Sequence, residues 1–189
     1  MTQDETHLGR TGATHPRDVV RALASEDDLE YTALFHTEYA RMVRTVFLVI
    51  HDHGHAEEIA QDAFVQLLGH WSTIRGYDQP AAWVRRVAIR MAVRALKRER
   101  MRSFLERRSS PEQGTFVDLP TSQAEVLAAV RMLPTNQRVA VVLHYFEDRP
   151  VADIADALGC APATARVHLH KARQRLALAL HEEVDDVVG

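Results

Sequence analysis

The sequence predicts an all-α protein made of two small helical domains joined by a flexible linker, the C-terminal one a helix-turn-helix. Three observations carry that expectation. Apolar residues recur at three- and four-residue spacing through the long segments after residue 27, and no strand-like alternation of useful length interrupts them. A run holding Ser109, Ser110, Pro111, Gly114 and Pro120 breaks the pattern once. Beyond it, RPVADIADALGCAPATARVHLHKARQRL reads as a short apolar helix and a basic helix around a tight turn.

Residues 1–27 are polar, contain Gly9, Gly12 and Pro16, and hold no sustained period beyond a possible helical turn at 18–23. They are expected to form a mobile N-terminal tail. The first domain, 28–108, opens on a helix to Ile50 striped by Leu29, Ala33, Leu34, Tyr39, Met42, Val43, Val46 and Phe47. HDHGH at 51–55 interrupts it as a polar loop. A second helix, 56–71, carries Ile59, Ala60, Ala63, Phe64, Leu67, Leu68 and Trp71. A loop over 72–79 follows, and Pro80 opens a helix with an apolar pair every four residues: Trp83–Val84, Val87–Ala88, Met91–Ala92 and Ala95–Leu96. Its other surfaces carry Arg85, Arg86, Arg90, Arg94, Lys97, Arg98, Arg100 and Arg102 against Glu99 alone.

The linker is expected over 109–122 and the second domain over 123–181. Helices at 123–132 and from Pro134, the latter carrying Val139, Val142, Leu143 and Phe146, lead into the helix-turn-helix. There Val151, Ile154, Ala155 and Leu158 form the apolar stripe of the first helix, and Gly159 stands where a left-handed stop is needed. Pro162 pre-sets the second helix, which buries Ala165, Leu169, Ala172 and Leu176 and presents Arg166, His168, Lys171, Arg173 and Arg175. Residues 182–189 form an acidic tail.

The net charge of −3 is no argument against nucleic acid, because cations and carboxylates are sorted into different segments. No apolar stretch reaches membrane-span length, and the N-terminus has no apolar signal core, so a cytoplasmic location is expected. Cys160 is the only cysteine, which excludes an internal disulfide and a multi-cysteine zinc knuckle. HDHGH has metal-ligand residue types, but neither an i, i+4 face nor a second pair supports a metal. A metal-dependent hydrolase built on 51–55 is the remote alternative; a stand-alone helix-turn-helix regulator is the nearer one.

Three stretches in this order, YTALFHTEYARMVRTVFLVIHDHGHAEEIAQDAFVQLLGHW, PAAWVRRVAIRMAVRALKRER and LPTNQRVAVVLHYFEDRPVADIADALGCAPATARVHLHKARQRL, resemble a group IV (extracytoplasmic-function, ECF) sigma factor of bacterial RNA polymerase. The resemblance covers about residues 28–178 and implies a non-enzymatic promoter-specificity subunit without cofactor. Its implied partners are core RNA polymerase (the clamp helices and flap of the largest subunits), promoter DNA and an anti-sigma factor.

Residue by residue, the resemblance implies that Glu57, Glu58, Gln61 and Asp62 meet polymerase, an assignment suited to partner arginines. Without it, the same four are a solvated acidic face. Ile74, Arg75, Tyr77 and Asp78 fall in the loop that captures a base flipped from the −10 element, and an ordinary surface turn is the plain alternative. Arg85, Arg86, Arg90, Arg94, Lys97 and Arg98 would grip the upstream edge of the −10 element, with Trp83 and Met91 as core. Thr164, Arg166, Val167, His168, His170, Lys171 and Arg173 lie at the −35 contacts. Family members often carry asparagine at Arg90, an acidic residue at Arg94, serine at Ala161 and Val167, valine at Ala165 and arginine at His168. These departures leave the promoter sequences open.

Overall fold

The computed structural model describes residues 26–106 and 121–186, and the expected tail, most of the expected linker and the end of the acidic tail lie outside them. Helix α1 spans Glu26–Ile50, α2 His53–Gly69, the one-turn α3 Trp71–Ile74, and α4 Pro80–Glu106. After residue 120 come α5 (Thr121–Met132), α6 (Thr135–Val141), a π-helical turn (Val142–Phe146), α7 (Val151–Leu158) and α8 (Pro162–Asp186). No strand occurs among the described residues.

In the first module α1, α2 and α4 pack on one another. Val46, Val49, Ala56, Ala60, Ala63, Phe64, Leu67, Val84, Ala88, Ile89 and Ala92 are almost wholly buried. Alanines at 56, 60 and 63 let α2 approach its neighbours closely, while Phe64, Leu67 and Ile89 fill the space between them. Trp71 and Tyr31 meet edge to face at 5.6 Å, and Tyr31 donates to the Phe64 carbonyl at 2.9 Å. Burial raises the Tyr31 pKa, which keeps that donor protonated.

HDHGH is less of a loop than expected, since α2 already starts at His53. Asp52 is its N-cap and accepts from the His55 N–H at 2.9 Å, which leaves only His51 and Asp52 between two long helices. His51 takes φ 61, donates to the Phe47 carbonyl at 2.7 Å through its backbone, and turns a buried ring inward.

The second module is organised as anticipated around α7 and α8. Gly159 has φ 66, and the N–H of Cys160 closes on the Ala155 carbonyl at 2.9 Å. A Cβ there would meet no atom within 4 Å, so the demand for glycine comes from backbone conformation alone. Gly159→Ala is therefore expected to lower stability by about 1 kcal/mol, read as a shifted urea midpoint with an unchanged slope.

Several apolar positions lie off the buried faces. Leu29 is 61% exposed, Leu68 53% and Phe146 37%, and Ala33 is exposed too. Trp83 and Met91 are half-buried at the edge of the core rather than inside it.

The two modules also meet: α1 and α4 pack against α5, α6, α7 and the π-helical turn. The π-helical turn is what delivers this contact. It ends at Phe146, Glu147 caps it, Asp148 follows with φ 51, and the Arg149 N–H returns to the Leu143 carbonyl at 2.9 Å. Glu147, 2% exposed, is thereby pushed against α1, where Arg41 Nε donates to it at 2.6 Å and the Thr45 hydroxyl at 2.7 Å.

Candidate nucleic-acid and polymerase interfaces

The four residues of the acidic cluster all lie on the solvent side of α2. Glu57, Glu58, Gln61 and Asp62 are exposed, opposite the buried Ile59, Ala60 and Ala63. Helical spacing stacks Gln61 on Glu57 and Asp62 on Glu58. Gln61 donates to the Tyr39 hydroxyl at 3.3 Å, and His53 approaches Glu57 at 3.7 Å. Val65, 66% exposed, and Leu68 continue this face one and two turns on. The surface thus joins carboxylates to two bare apolar side chains, a composition suited to protein contact. Periodicity alone assigns Leu68 to the core and passes over Val65.

The turn after α2 divides its candidates. Ile74 is 4% exposed and belongs to the core, because the stretch after Trp71 forms a helical turn rather than an open loop. Arg75 is ion-paired with Asp27 and lies 3.9 Å from Glu30. Tyr77, 49% exposed, and Asp78 remain on the surface, where a ring face and a carboxylate can meet an unstacked base.

On α4 the cations separate into three groups. Arg94, Lys97 and Arg98 are exposed. Arg86 and Arg90 face α7: Arg86 pairs with the Asp156 carboxylate at 2.8 Å, and Arg90 donates to the Asp156 carbonyl at 2.9 Å. Arg85 is only 6% exposed and lies 3.8 Å from Glu38. Burial and then Arg149 lower its pKa, opposed by Glu147 and Glu38. Arg85 is therefore a buried seam residue in this arrangement.

On α8, Ala165, Leu169 and Ala172 are buried and Leu176 half-buried, as the four-three-four spacing requires. Thr164, Arg166, Val167, His170, Lys171 and Arg173 are exposed, and His168 is half-exposed. The helix-turn-helix thus presents a continuous polar face for a major groove. Ala161 offers no capping oxygen, and Pro162 opens the helix, with the Ala165 N–H reaching the Ala161 carbonyl at 3.1 Å.

Four residues important to the arrangement carry no local signal: Arg41, Arg138, Glu147 and Asp156. Arg138 ties the modules together, donating to the carbonyls of Val49 at 2.6 Å, Leu133 at 3.1 Å and Arg131. Burial, then Arg100 and Arg131, bring its pKa down to about 10, so it stays charged at neutral pH. No group of three or more His, Cys, Asp or Glu is placed to hold a metal among the described residues. Asp52 and His51 are instead committed to the α1–α2 junction.

An acidic, partly apolar helix, a basic helix and a helix-turn-helix define a two-module protein of the kind that binds nucleic acid. The family model for Sigma-70 region 2 matches residues 34–102, and that for Sigma-70, region 4 matches 123–176. The chain belongs to the sigma-70 family of RNA polymerase sigma factors, in its extracytoplasmic-function group. It is 27% identical over 151 residues to the RNA polymerase sigma-E factor of Streptomyces coelicolor, covering 78% of this chain and 84% of that one. It is 26% identical over 160 residues to the ECF RNA polymerase sigma factor SigK of Mycolicibacterium vanbaalenii, covering 78% and 80%. The fold is similar to that of the sigma factor RpoE in its co-crystal structure with the anti-sigma factor NepR from Bartonella quintana. That match has a TM-score of 0.64 at 21% identity and covers 80% of this chain and 97% of that one. A stand-alone helix-turn-helix regulator would leave the region 2 match unaccounted for.

Proposed function

We propose that this sigma factor docks on core polymerase through the α2 face of Glu57, Glu58, Gln61 and Asp62, extended by Val65 and Leu68. In this reading the −10 element is met by Tyr77, Asp78, Arg86, Arg90, Arg94, Lys97 and Arg98. Arg75 joins them once released from Asp27. The −35 element is met by Thr164, Arg166, Val167, His168, His170, Lys171 and Arg173 on α8. The carrying observation is the sorting of charge by element: carboxylates on the outside of α2, cations on α4 and α8. Each module binds DNA weakly alone, and fixing both on polymerase raises the effective concentration of each for its element. An anti-sigma factor is the expected negative partner, a reading supported by the RpoE–NepR likeness.

Promoter-directed transcription should therefore require core polymerase, tested with a library of promoter fragments. Tight, sequence-specific binding by the free chain to a compact site would favour the stand-alone regulator. Gln61→Lys with Asp62→Lys places cations where partner cations are expected. Like-charge contact of this kind costs several kcal/mol, so core affinity should fall on the order of 100-fold. Both positions are exposed, so circular dichroism should be unchanged. Undiminished capture by core enzyme would remove α2 as the docking element.

A further inference from the structure

Cations from both modules converge on one cavity. It lies where the α1–α2 junction and the second half of α4 meet α5 and α6, and it measures about 870 Å³. That size suits a small molecule. Arg98, Arg100 and Arg102 line it from α4, and Arg131 and Arg138 from the second module. Two carboxylates oppose these five guanidinium groups, and both are engaged. Glu99 is ion-paired with Arg102, and Asp52 accepts from the His55 N–H at 2.9 Å. Arg98 and Arg100 make no ion pair among the described residues. Two further lining residues, each 8% exposed, hold a buried nitrogen with no hydrogen-bond partner: His51 Nε2 and Arg138 Nε. Beyond burial, Arg100 and Arg131 lower the Arg138 pKa, and Arg138 and Arg131 lower that of His51. The cavity's own residues therefore leave its positive potential uncancelled.

We propose that this cavity is a binding site for a small molecule carrying two or more phosphates. Arg98, Arg100 and Arg131 hold the phosphate oxygens, because a guanidinium offers a planar fork that matches them two at a time. Arg138 is committed to three carbonyls and Arg102 to Glu99, so these two add chiefly charge. Guanidinium groups on both walls exceed what one phosphate group can neutralise, which sets the class at two or more. Ile50, Leu96 and Met132 line the same cavity and give it an apolar wall for an organic group attached to the phosphates. A DNA duplex is the poorer fit. Its phosphates lie on a convex rod, while Arg138 and His51 are buried in the lining of a concave site. The site is also independent of the promoter reading, since Arg98 alone among its cations is a proposed DNA contact.

The test uses the full chain with sodium tripolyphosphate as probe, read by titration calorimetry and by the urea midpoint at constant ionic strength. One tripolyphosphate should bind per chain and raise the midpoint, since a ligand of the folded state stabilises it by mass action. Sulfate at the same ionic strength should do so much less. Arg100→Ala and Arg131→Ala, one from each module, should each weaken binding on the order of tenfold, the loss of one charge-assisted bond. Arg100 is exposed on α4, so that variant tests the site with the fold intact. Lys97→Ala removes an exposed cation of the same helix that does not line the cavity, and should leave the affinity unchanged. ATP tested beside tripolyphosphate identifies the source. Tighter binding of ATP assigns the ligand to organic phosphates with the apolar wall in use; equal or weaker binding assigns it to inorganic phosphate chains. Binding that never saturates, or that Lys97→Ala weakens as much as Arg100→Ala does, would reduce the site to diffuse charge attraction and overturn it. Displacement of tripolyphosphate by a 20-base-pair duplex, with duplex binding lost in Arg100→Ala and Arg131→Ala, would assign the cavity to DNA phosphates and overturn the small-ligand reading.

Discussion

Alanine at both Arg166 and Lys171 is expected to cut promoter-directed initiation by about 10- to 100-fold, from the 1–3 kcal/mol carried by a specific contact. Core polymerase affinity should not change. Both side chains are exposed on α8, away from the buried Ala165, Leu169 and Ala172 that fix the helix in its module. Alanine is the strongest helix former, so the scaffold survives the change. If both cations meet phosphates, the salt slope of initiation should fall by about two, near 0.9 per contact. If Arg166 reads a base edge, the slope falls by about one and discrimination among −35 sequences relaxes. Transcription at several KCl concentrations, beside pull-down with core enzyme, separates these results. Loss of core binding in the alanine pair would place α8 at the polymerase rather than at DNA.

How far the sequence can be read follows from the range of the forces involved. The helix-turn-helix is fully legible: Gly159 adopts the left-handed conformation its position demands, and residues 165, 169 and 172 are buried at their helical spacing. The edges of apolar stripes are not. Leu29 and Leu68 continue the period of their helices but fall where no neighbouring helix reaches, and Ile89, absent from the paired stripe on α4, is wholly buried. Ile74 is misplaced by its sequence context because a single helical turn has too few residues to show a period. The seam between modules is invisible for a different reason. Arg41–Glu147 and Arg86–Asp156 join residues far apart in sequence, and nothing adjacent to either partner marks the pair. The same distance hides Arg85, whose place in an arginine-rich helix resembles that of its exposed neighbours until Glu38 and Glu147 are brought beside it.

Acidification from pH 7 to pH 5 should destabilise the chain through His51 by about 2 kcal/mol, more than any other titration resolved in the described residues. The ring sits at the end of α1, 8% exposed, with its Nε2 buried and unpartnered. Burial first, and then Arg138 and Arg131 across the seam, hold its pKa down from 6.5 to about 4. The neutral ring is therefore the form that folds. Its contribution is fully present above the unfolded value and is lost as pH falls through the window from 6.5 to about 4. A tenfold difference in proton affinity between folded and unfolded chains corresponds to about 1.4 kcal/mol, so about 3 kcal/mol is gone by pH 4. Comparison with a variant that lacks the ring separates the His51 contribution from that of every other titrating group. The added cation would face Arg138 and Arg131, so the seam between the modules is where acid acts first. Protons have a route to it: His51 lines a cavity of about 870 Å³ with Asp52, His55, Arg98, Arg131 and Arg138. His51→Asn keeps a residue that tolerates φ 61 and removes the titration. Urea midpoints of wild type should fall between pH 7 and pH 5, and those of the variant should fall markedly less. An equal fall in the two proteins would show that the His51 ring is not held neutral by the seam.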